Sequence, residues 1–447
     1  MSALLKQAIE STYPTVTHGR GVYLYDTEGR EYLDGSSGAM TASLGHGLDE
    51  IADAMSAQAR RVAFVYRTQF TSEPAEILAS KLTSRAPAEL DWAYFVSSGS
   101  EASELAIRAA VMYWRERGEL ERTKVLGRQT SYHGMTLGSL SLSGQPVRRR
   151  DYGNLIQPFA QAPDVHIGYA RPGESEDEYA RRAAEGFEAT ILANGPETVA
   201  AIIAEPIVGA AGGVLVPPRG YFARLREVCD RYGVLLILDE VITGVGRTGN
   251  WFASLDEDVI PDMLLCGKGL SGGYAPVAAV LFRDRVVETL KRGSGLAPFA
   301  HTFSANPVGA AVCVAVLDYI EREDVLANVR SRGAELASGL SEIAARHPMI
   351  TDVRGRGLLW GFEFTTDPGH ISPPSAEANV SGRFVELCME AGLIVYPAGA
   401  PGRSSAIILS PPLVITADEV RDLLGRLETA AARLEAELPA LLTSASL

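Results

Sequence analysis

Residues 234–273 read VLLILDEVITGVGRTGNWFASLDEDVIPDMLLCGKGLSGG, and the rest of the chain is organised around them. Behind Gly233, the apolar run 234–238 has the length and composition of a strand buried on both faces, as in a parallel sheet. It delivers Asp239 and Glu240 at its carboxyl end, the edge at which open α/β sheets bind ligands. Residues 262–266 form a second short strand that ends at Gly267-Lys268-Gly269, where the two glycines let another molecule approach the backbone. A lysine amine condenses with an aldehyde when its surroundings let it lose its proton near neutral pH. A buried carboxylate holds a heteroaromatic nitrogen in its protonated form. Lys268 and Asp239 supply that pair.

Three other readings compete for the same stretch. Gly244, Gly246 and Gly249 spell G-x-G-x-x-G behind a strand, which suggests a dinucleotide-binding turn and a nicotinamide oxidoreductase. Gly249 is followed by Asn250-Trp251-Phe252-Ala253-Ser254, which is not a helix opening, and the two acids in front would repel a pyrophosphate. A phosphate loop ending in Lys268 fails because Asp262 stands where that motif needs Gly and Gly269 where it needs Ser or Thr. Solvated surface charges, the usual fate of Asp and Lys, do not fit the flanking apolar runs.

The segment resembles the signature of the class III, or omega-type, aminotransferases. The resemblance is carried by the run into Asp239-Glu240-Val241, by Gly244 and Gly246, by Pro261-Asp262, and by Lys268, 29 positions after Asp239. It implies a fold type I α/β protein: a large domain with a mostly parallel central sheet flanked by helices, and a smaller α+β domain. It also implies pyridoxal 5'-phosphate as cofactor, with Lys268 and Asp239 as the catalytic residues and Val241 beside them in the cofactor site. The expected reaction is a ping-pong transfer of an amino group from an amine or omega-amino acid to a 2-oxo acid such as pyruvate or 2-oxoglutarate. An aminomutase or a decarboxylating transaminase would use the same pair. A non-catalytic ligand-binding protein of this fold would usually have lost one member.

Working outward, Ser97-Ser98-Gly99-Ser100-Glu101-Ala102 lies between an apolar run, 92–96, and a helical pattern that extends to about residue 117. A strand, a tight turn and a helix start leave free N–H groups at the positive end of the helix, an anion site. The resemblance assigns Gly99 and Ser100 to the cofactor phosphate. It assigns Tyr132 to stacking on the cofactor ring, for which an aromatic face is suited, with His133 in a supporting place. Residues 199–204 form another buried strand ending at Glu205, on the same rim as Asp239, and relatives point this glutamate into the substrate pocket.

Upstream, alternating runs joined by Thr27-Glu28-Gly29-Arg30 predict a hairpin. The segment 36–45, with Met40, and the later Tyr66 are expected to line the substrate pocket. Thr302, ahead of a long apolar helix, is implied to reach the cofactor phosphate of a neighbouring subunit. That implies a homodimer with active sites at the interface.

One departure from the family concerns the substrate. Relatives that handle carboxylated substrates commonly carry an arginine after the strand that corresponds to residues 392–395, and Tyr396 stands there instead. Tyrosine cannot replace the bidentate grip of a guanidinium on a carboxylate. Arg403 is the candidate replacement, with Arg67 as a weaker one.

The chain has 447 residues, more than one usual core, with 46% hydrophobic and 21% charged residues. The expected division is an N-terminal segment, 1–60, that contributes to the small domain and the pocket, a large cofactor-binding domain, 61–322, and a C-terminal small domain, 323–447. The formal net charge of −14 argues against nucleic acid or an anionic membrane as the main partner. The four cysteines lie too far apart in sequence for a metal knuckle or a redox pair, so reduced thiols and no metal are expected. With no apolar leader and no stretch near the roughly 18 apolar residues of a membrane span, a cytoplasmic location is expected.

Overall fold

In the computed structural model, which describes residues 3–257, 259–297, 301–368, 370–400 and 403–444, the strand Leu235–Glu240 sits at the centre of a seven-stranded sheet. The order is Trp92–Val96, Ala278–Phe282, Met263–Cys266, Leu235–Glu240, Val199–Ala204, Lys124–Arg128 and Gln161–Ala162. Ala278–Phe282 runs antiparallel to both of its neighbours, and the remaining pairings are parallel. The register sets Ala204 opposite Leu238 and Asp239 opposite Leu265. Glu205, Asp239 and Lys268 therefore emerge at one level of one edge.

Both faces of the sheet are covered, which is why its strands are apolar throughout. Leu235 and Ile237 pack with Ala102, Leu105 and Ala109 of the helix Gly99–Glu116. Leu236 and Leu238 face the other way, against Phe187 of the helix Glu176–Asn194 and Phe222 and Leu225 of the helix Tyr221–Tyr232. Side chains alternate along a strand, so Asp239 falls on the face of the helix Gly99–Glu116 and Glu240 on the opposite one.

Two smaller sheets flank this body. One contains the expected hairpin, Tyr23–Asp26 with Glu31–Asp34, extended by Val16–Arg20 on one side and by a parallel pairing of Leu33 with Leu393 on the other. The second is antiparallel, ordered Ile350–Arg356, Leu359–Phe364, Ala406–Leu409, Tyr396–Ala398. Helices Val325–Arg346, Val380–Glu390 and Ala417–Ser444 share its core, with Leu336, Phe362, Phe384 and Leu423 all buried. The last helix carries Pro439 inside it. The helix Glu176–Asn194 opens with the capping box that Ser175 and Glu178 spell. Among the described residues no helix is long and apolar enough to cross a membrane.

Candidate active site

The shared strand edge opens into a cavity of about 250 Å³, lined by Gly99, Ser100, Tyr132, His133, Glu205, Asp239, Val241 and Lys268. A cavity of about 150 Å³ holds a benzene ring, so this one has room for a six-membered ring with substituents. Asp239 is 6% exposed. Its Oδ2 accepts a hydrogen bond from His133 Nδ1 at 2.8 Å, and its Oδ1 accepts one from the Val241 N–H at 3.1 Å. His133 is held in turn. Its N–H donates to Ser143 Oγ at 2.9 Å, and its carbonyl accepts from Ser103 Oγ at 2.7 Å. With Nδ1 hydrogen-bonded to the carboxylate, the buried imidazole keeps Nε2 without a hydrogen-bond partner among the described residues.

Lys268 opens a 3₁₀ turn, Lys268–Ser271, with a left-handed φ of 43°. That conformation costs a residue with a Cβ of order 1–3 kcal/mol and concentrates at functional sites. Burial drives the pKa of its amine down, against the pull of the negative charges on Asp239 and, less, Glu205. Among the described residues no hydrogen bond or ion pair ties the amine down. A buried lysine, depressed in pKa and uncommitted, is prepared for nucleophilic and acid–base work.

Opposite the lysine, Ser98 caps the helix Gly99–Glu116 by accepting from the Glu101 N–H at 3.2 Å. The first-turn N–H groups of Gly99 and Ser100 have no partner within the helix and stay available to an anion. A Cβ at Gly99 would stand 3.1 Å from Val241 Cγ1, so glycine lets this turn close onto the strand end. Ser100 Oγ accepts from the Met135 N–H at 3.1 Å, which joins the loop carrying Tyr132 and His133 to the helix start. Tyr132 packs on Val208, Ala211 and Leu215 and presents its ring to the cavity. An uncommitted amine, a carboxylate, an aromatic face and an anion cradle around a ring-sized space fit a flat heteroaromatic aldehyde that carries a phosphate.

Glu205 is 4% exposed. Its Oε1 accepts from the Tyr132 N–H at 2.9 Å and its Oε2 from the Gly209 N–H at 3.1 Å, while burial raises its pKa. The side chain of Arg128 lies beneath and donates to the Glu205 carbonyl. Glu240 points away from the cavity. It accepts from Thr243 Oγ1, the Ala253 and Ser254 N–H groups and Ser254 Oγ, at 2.6–2.9 Å. This anchors the loop 241–254, in which Gly246 and Gly249 take φ values of 99° and 93°. The G-x-G-x-x-G glycines thus serve turns, and a 3₁₀ turn, Ala253–Glu257, follows instead of a nucleotide-binding helix.

Other sequence candidates lie elsewhere in the single chain. Met40 is buried with Ile207, Val214, Leu359 and Ile408 behind the cavity wall, and its neighbour Thr41 lines the cavity instead. Tyr66 is 53% exposed and Thr302 is exposed, both outside the cavity. Arg403 is paired with Asp164 at 3.1 Å, also outside. Arg67 lies over the Tyr94 ring, 5.4 Å from its centroid. Thr41 and the cavity-lining Ile207 and Val277 carry no motif, and neither does Arg148, whose guanidinium lies 4.8 Å from the centroid of the Tyr132 ring.

The profile of the class-III aminotransferases matches residues 6–431. The chain is 41% identical over 442 residues to the uncharacterized aminotransferase YodT of Bacillus subtilis (strain 168), which covers 98% of this chain and 99% of that one. It is 34% identical over 417 residues to gamma-aminobutyrate transaminase 1, mitochondrial, of Oryza sativa subsp. indica, covering 92% and 79%. Among solved structures, a transaminase from the marine bacterium Virgibacillus matches with a TM-score of 0.91 and 33% identity, over 98% of this chain and 96% of that one.

Proposed function

Since this chain belongs to the class III aminotransferases, pyridoxal-phosphate enzymes that move amino groups from an amine donor to an oxo-acid acceptor, we propose the following roles for its cavity residues. When bound, the cofactor supplies an aldehyde and an electron-withdrawing pyridinium ring. Lys268 Nζ is the group that would hold the aldehyde. With the cofactor bound, the same Nζ would be placed to take the proton from the substrate carbon that bears nitrogen and to return it, as general base and acid. Burial supports this role, because it leaves more of the amine neutral at a given pH than an ordinary lysine has. Asp239 keeps the ring nitrogen protonated, with His133 fixing the carboxylate. Tyr132 and Val241 would flank the ring, and Gly99 and Ser100 would hold the phosphate.

The donor is an amine or omega-amino acid and the acceptor a 2-oxo acid such as pyruvate or 2-oxoglutarate. The enzyme works as a homodimer in the cytoplasm, in which Thr302 of one subunit reaches the phosphate of the other and Tyr66 meets the partner. Exposed apolar side chains around these residues support the pairing, namely Phe64, Phe70 and Phe303 at 43%, 64% and 62% exposure. The chain divides into the N-terminal segment 1–60, the large domain 61–322 and the small domain 323–447. The meeting of residues 16–34 with 393–394 in one sheet supports joining the first segment to the last.

One observation carries the assignment of roles: the uncommitted Lys268 amine shares its cavity with the Asp239–His133 pair and the open helix start. The test is the visible spectrum of the purified protein, titrated with amines and amino acids, with Lys268→Ala alongside. Bleaching by a donor and recovery with a 2-oxo acid, both lost in Lys268→Ala, is the expected result. A wild-type protein that pyridoxal phosphate cannot colour would overturn the assignment.

A further inference from the structure

Beside the Lys268 cavity lies a second hollow of about 230 Å³, and we propose that it receives a carboxylate at the far end of the substrate, gripped by Arg148. The proposal rests on the transaminase reading and deepens it. The hollow is walled by Gln145 and Arg148 on one side and by Asn379, Ser381, Tyr396 and Ser404 on the other. It has one cationic side chain and no carboxylate in its lining. The chain carries 55 acids against 41 lysines and arginines, so a guanidinium left without a counter-ion is unusual here. Arg148 Nε donates to Gln145 Oε1 at 2.5 Å, and among the described residues no carboxylate pairs with this arginine. Glu363, which holds Ser404 and Ser405 at the rim, is neutralised by Arg354 at 2.7 Å. Asp164 is taken by Arg403 at 3.1 Å.

A half-enclosed cation without an anionic partner bears a desolvation cost that a bound anion relieves. Tyr396 stands in the same hollow, so the tyrosine that replaces the family's arginine borders a guanidinium supplied from another part of the chain. The helix Val380–Glu390 also begins here, and no side chain caps it. Its positive end adds to the same field.

Position fixes which carboxylate fits. Tyr132 lines the Lys268 cavity and Arg148 does not; the guanidinium sits over the tyrosine ring, 4.8 Å from its centroid. A ligand that reacts at Lys268 and reaches Arg148 must span that ring, so its carboxylate lies several bonds from the reacting nitrogen. The hollow therefore selects omega-amino acids over alpha-amino acids that have no second carboxylate and over plain amines. On the acceptor side it selects 2-oxoglutarate over pyruvate, which has no far carboxylate.

The test uses the holoenzyme and follows each half-reaction by absorbance. Donors are 5-aminopentanoate and pentylamine, which differ in the carboxylate, and acceptors are 2-oxoglutarate and pyruvate. Arg148→Met should raise KM for 5-aminopentanoate and 2-oxoglutarate about tenfold to a hundredfold, the range expected for losing a charge-assisted contact, and leave pentylamine and pyruvate within about twofold. Gln145→Glu keeps the acceptor for Arg148 Nε and supplies an internal counter-ion, at the loss of the Nε2 hydrogen bonds to the Ala211 and Gly399 carbonyls, and should give the same selective loss without removing the arginine. Glutarate has carboxylates and no amine. Its calorimetric binding to the holoenzyme should disappear in both variants. Equal losses on all four substrates would overturn the proposal, as would unchanged kinetics with unchanged glutarate binding. A wild type that no donor bleaches would refute the transaminase reading alone, while glutarate binding would still report on the hollow.

Discussion

Replacing His133 by phenylalanine isolates what the imidazole does for Asp239. Ring volume is kept and the backbone contacts to Ser143 and Ser103 remain, so the packing changes little. The loss is one hydrogen bond of 2.8 Å to a nearly buried carboxylate. A bond to a charged group contributes about 1.5–3 kcal/mol, and the Val241 N–H at 3.1 Å is the other donor to Asp239. At about 1.4 kcal/mol per factor of ten, cofactor affinity should fall roughly tenfold to a hundredfold. Stability should barely move, because phenylalanine also removes the unpartnered Nε2. His133→Asn should behave in the opposite way. Its Nδ2 reaches the place of the imidazole Nδ1 and keeps the bond, but the missing ring atoms leave a cavity. Titration of the apoproteins with pyridoxal phosphate, alongside their thermal melting, separates the two effects. If His133→Phe binds the cofactor as tightly as the wild type, or if His133→Asn weakens binding equally, the positioning argument is wrong.

Two further outcomes follow from neighbouring residues. Glu240→Ala leaves the Ala253 and Ser254 N–H groups unpaired in the interior, at about 1–3 kcal/mol each, whereas Asp239→Ala exposes its partners to the cavity. Melting of the apoproteins should therefore show a much larger drop for Glu240→Ala, and equal drops would refute the assignment of the two acids to opposite faces. Lys268→Met should change how stability depends on pH. The folded pKa of Lys268 lies below its ordinary 10.5, so between those two values the unfolded chain binds the extra proton and wild-type stability rises with pH. Below the folded pKa the buried charge is a cost that methionine removes. The melting temperature of the wild-type apoprotein relative to Lys268→Met should climb as pH rises towards 10.5, and parallel curves would show that the lysine is not depressed.

The rim of the large sheet was legible because its chemistry follows continuous apolar runs. Residues 199–204, 234–238 and 262–266 each end on a polar residue or a glycine–lysine step, and parallel pairing brings those ends level. The family resemblance named Asp239, but the apolar run by itself does not decide which of Asp239 and Glu240 faces the ligand. That depends on which face of the sheet carries the helix Gly99–Glu116, a tertiary fact. Arg148 was invisible for another reason. It belongs to the run Arg148-Arg149-Arg150, whose members look alike. In the structure Arg149 donates to the Ser143 carbonyl at 3.1 Å and Arg150 lies near Asp151 at 3.7 Å on the surface, while Arg148 turns over Tyr132. Arg403 is close in sequence to Tyr396, but in the fold it pairs with Asp164, from a distant part of the chain.

The freedom of Lys268 depends on how its two acidic neighbours are occupied. A buried ammonium near two carboxylates would ordinarily be captured by one of them, and its pKa would then rise. Here both oxygens of each acid accept hydrogen bonds from elsewhere. Asp239 takes His133 and the Val241 N–H, and Glu205 takes the Tyr132 and Gly209 N–H groups. Each acid is oriented by these hydrogen bonds and acts on the lysine through charge, and that attraction is too weak to cancel the effect of burial. Three of these four donors come from the loop 132–133, which also presents the aromatic ring, and from the turn after Asp239, against which the anion cradle at Gly99 closes. The elements that shape the cavity for its ligand are thus the ones that keep its amine unbound.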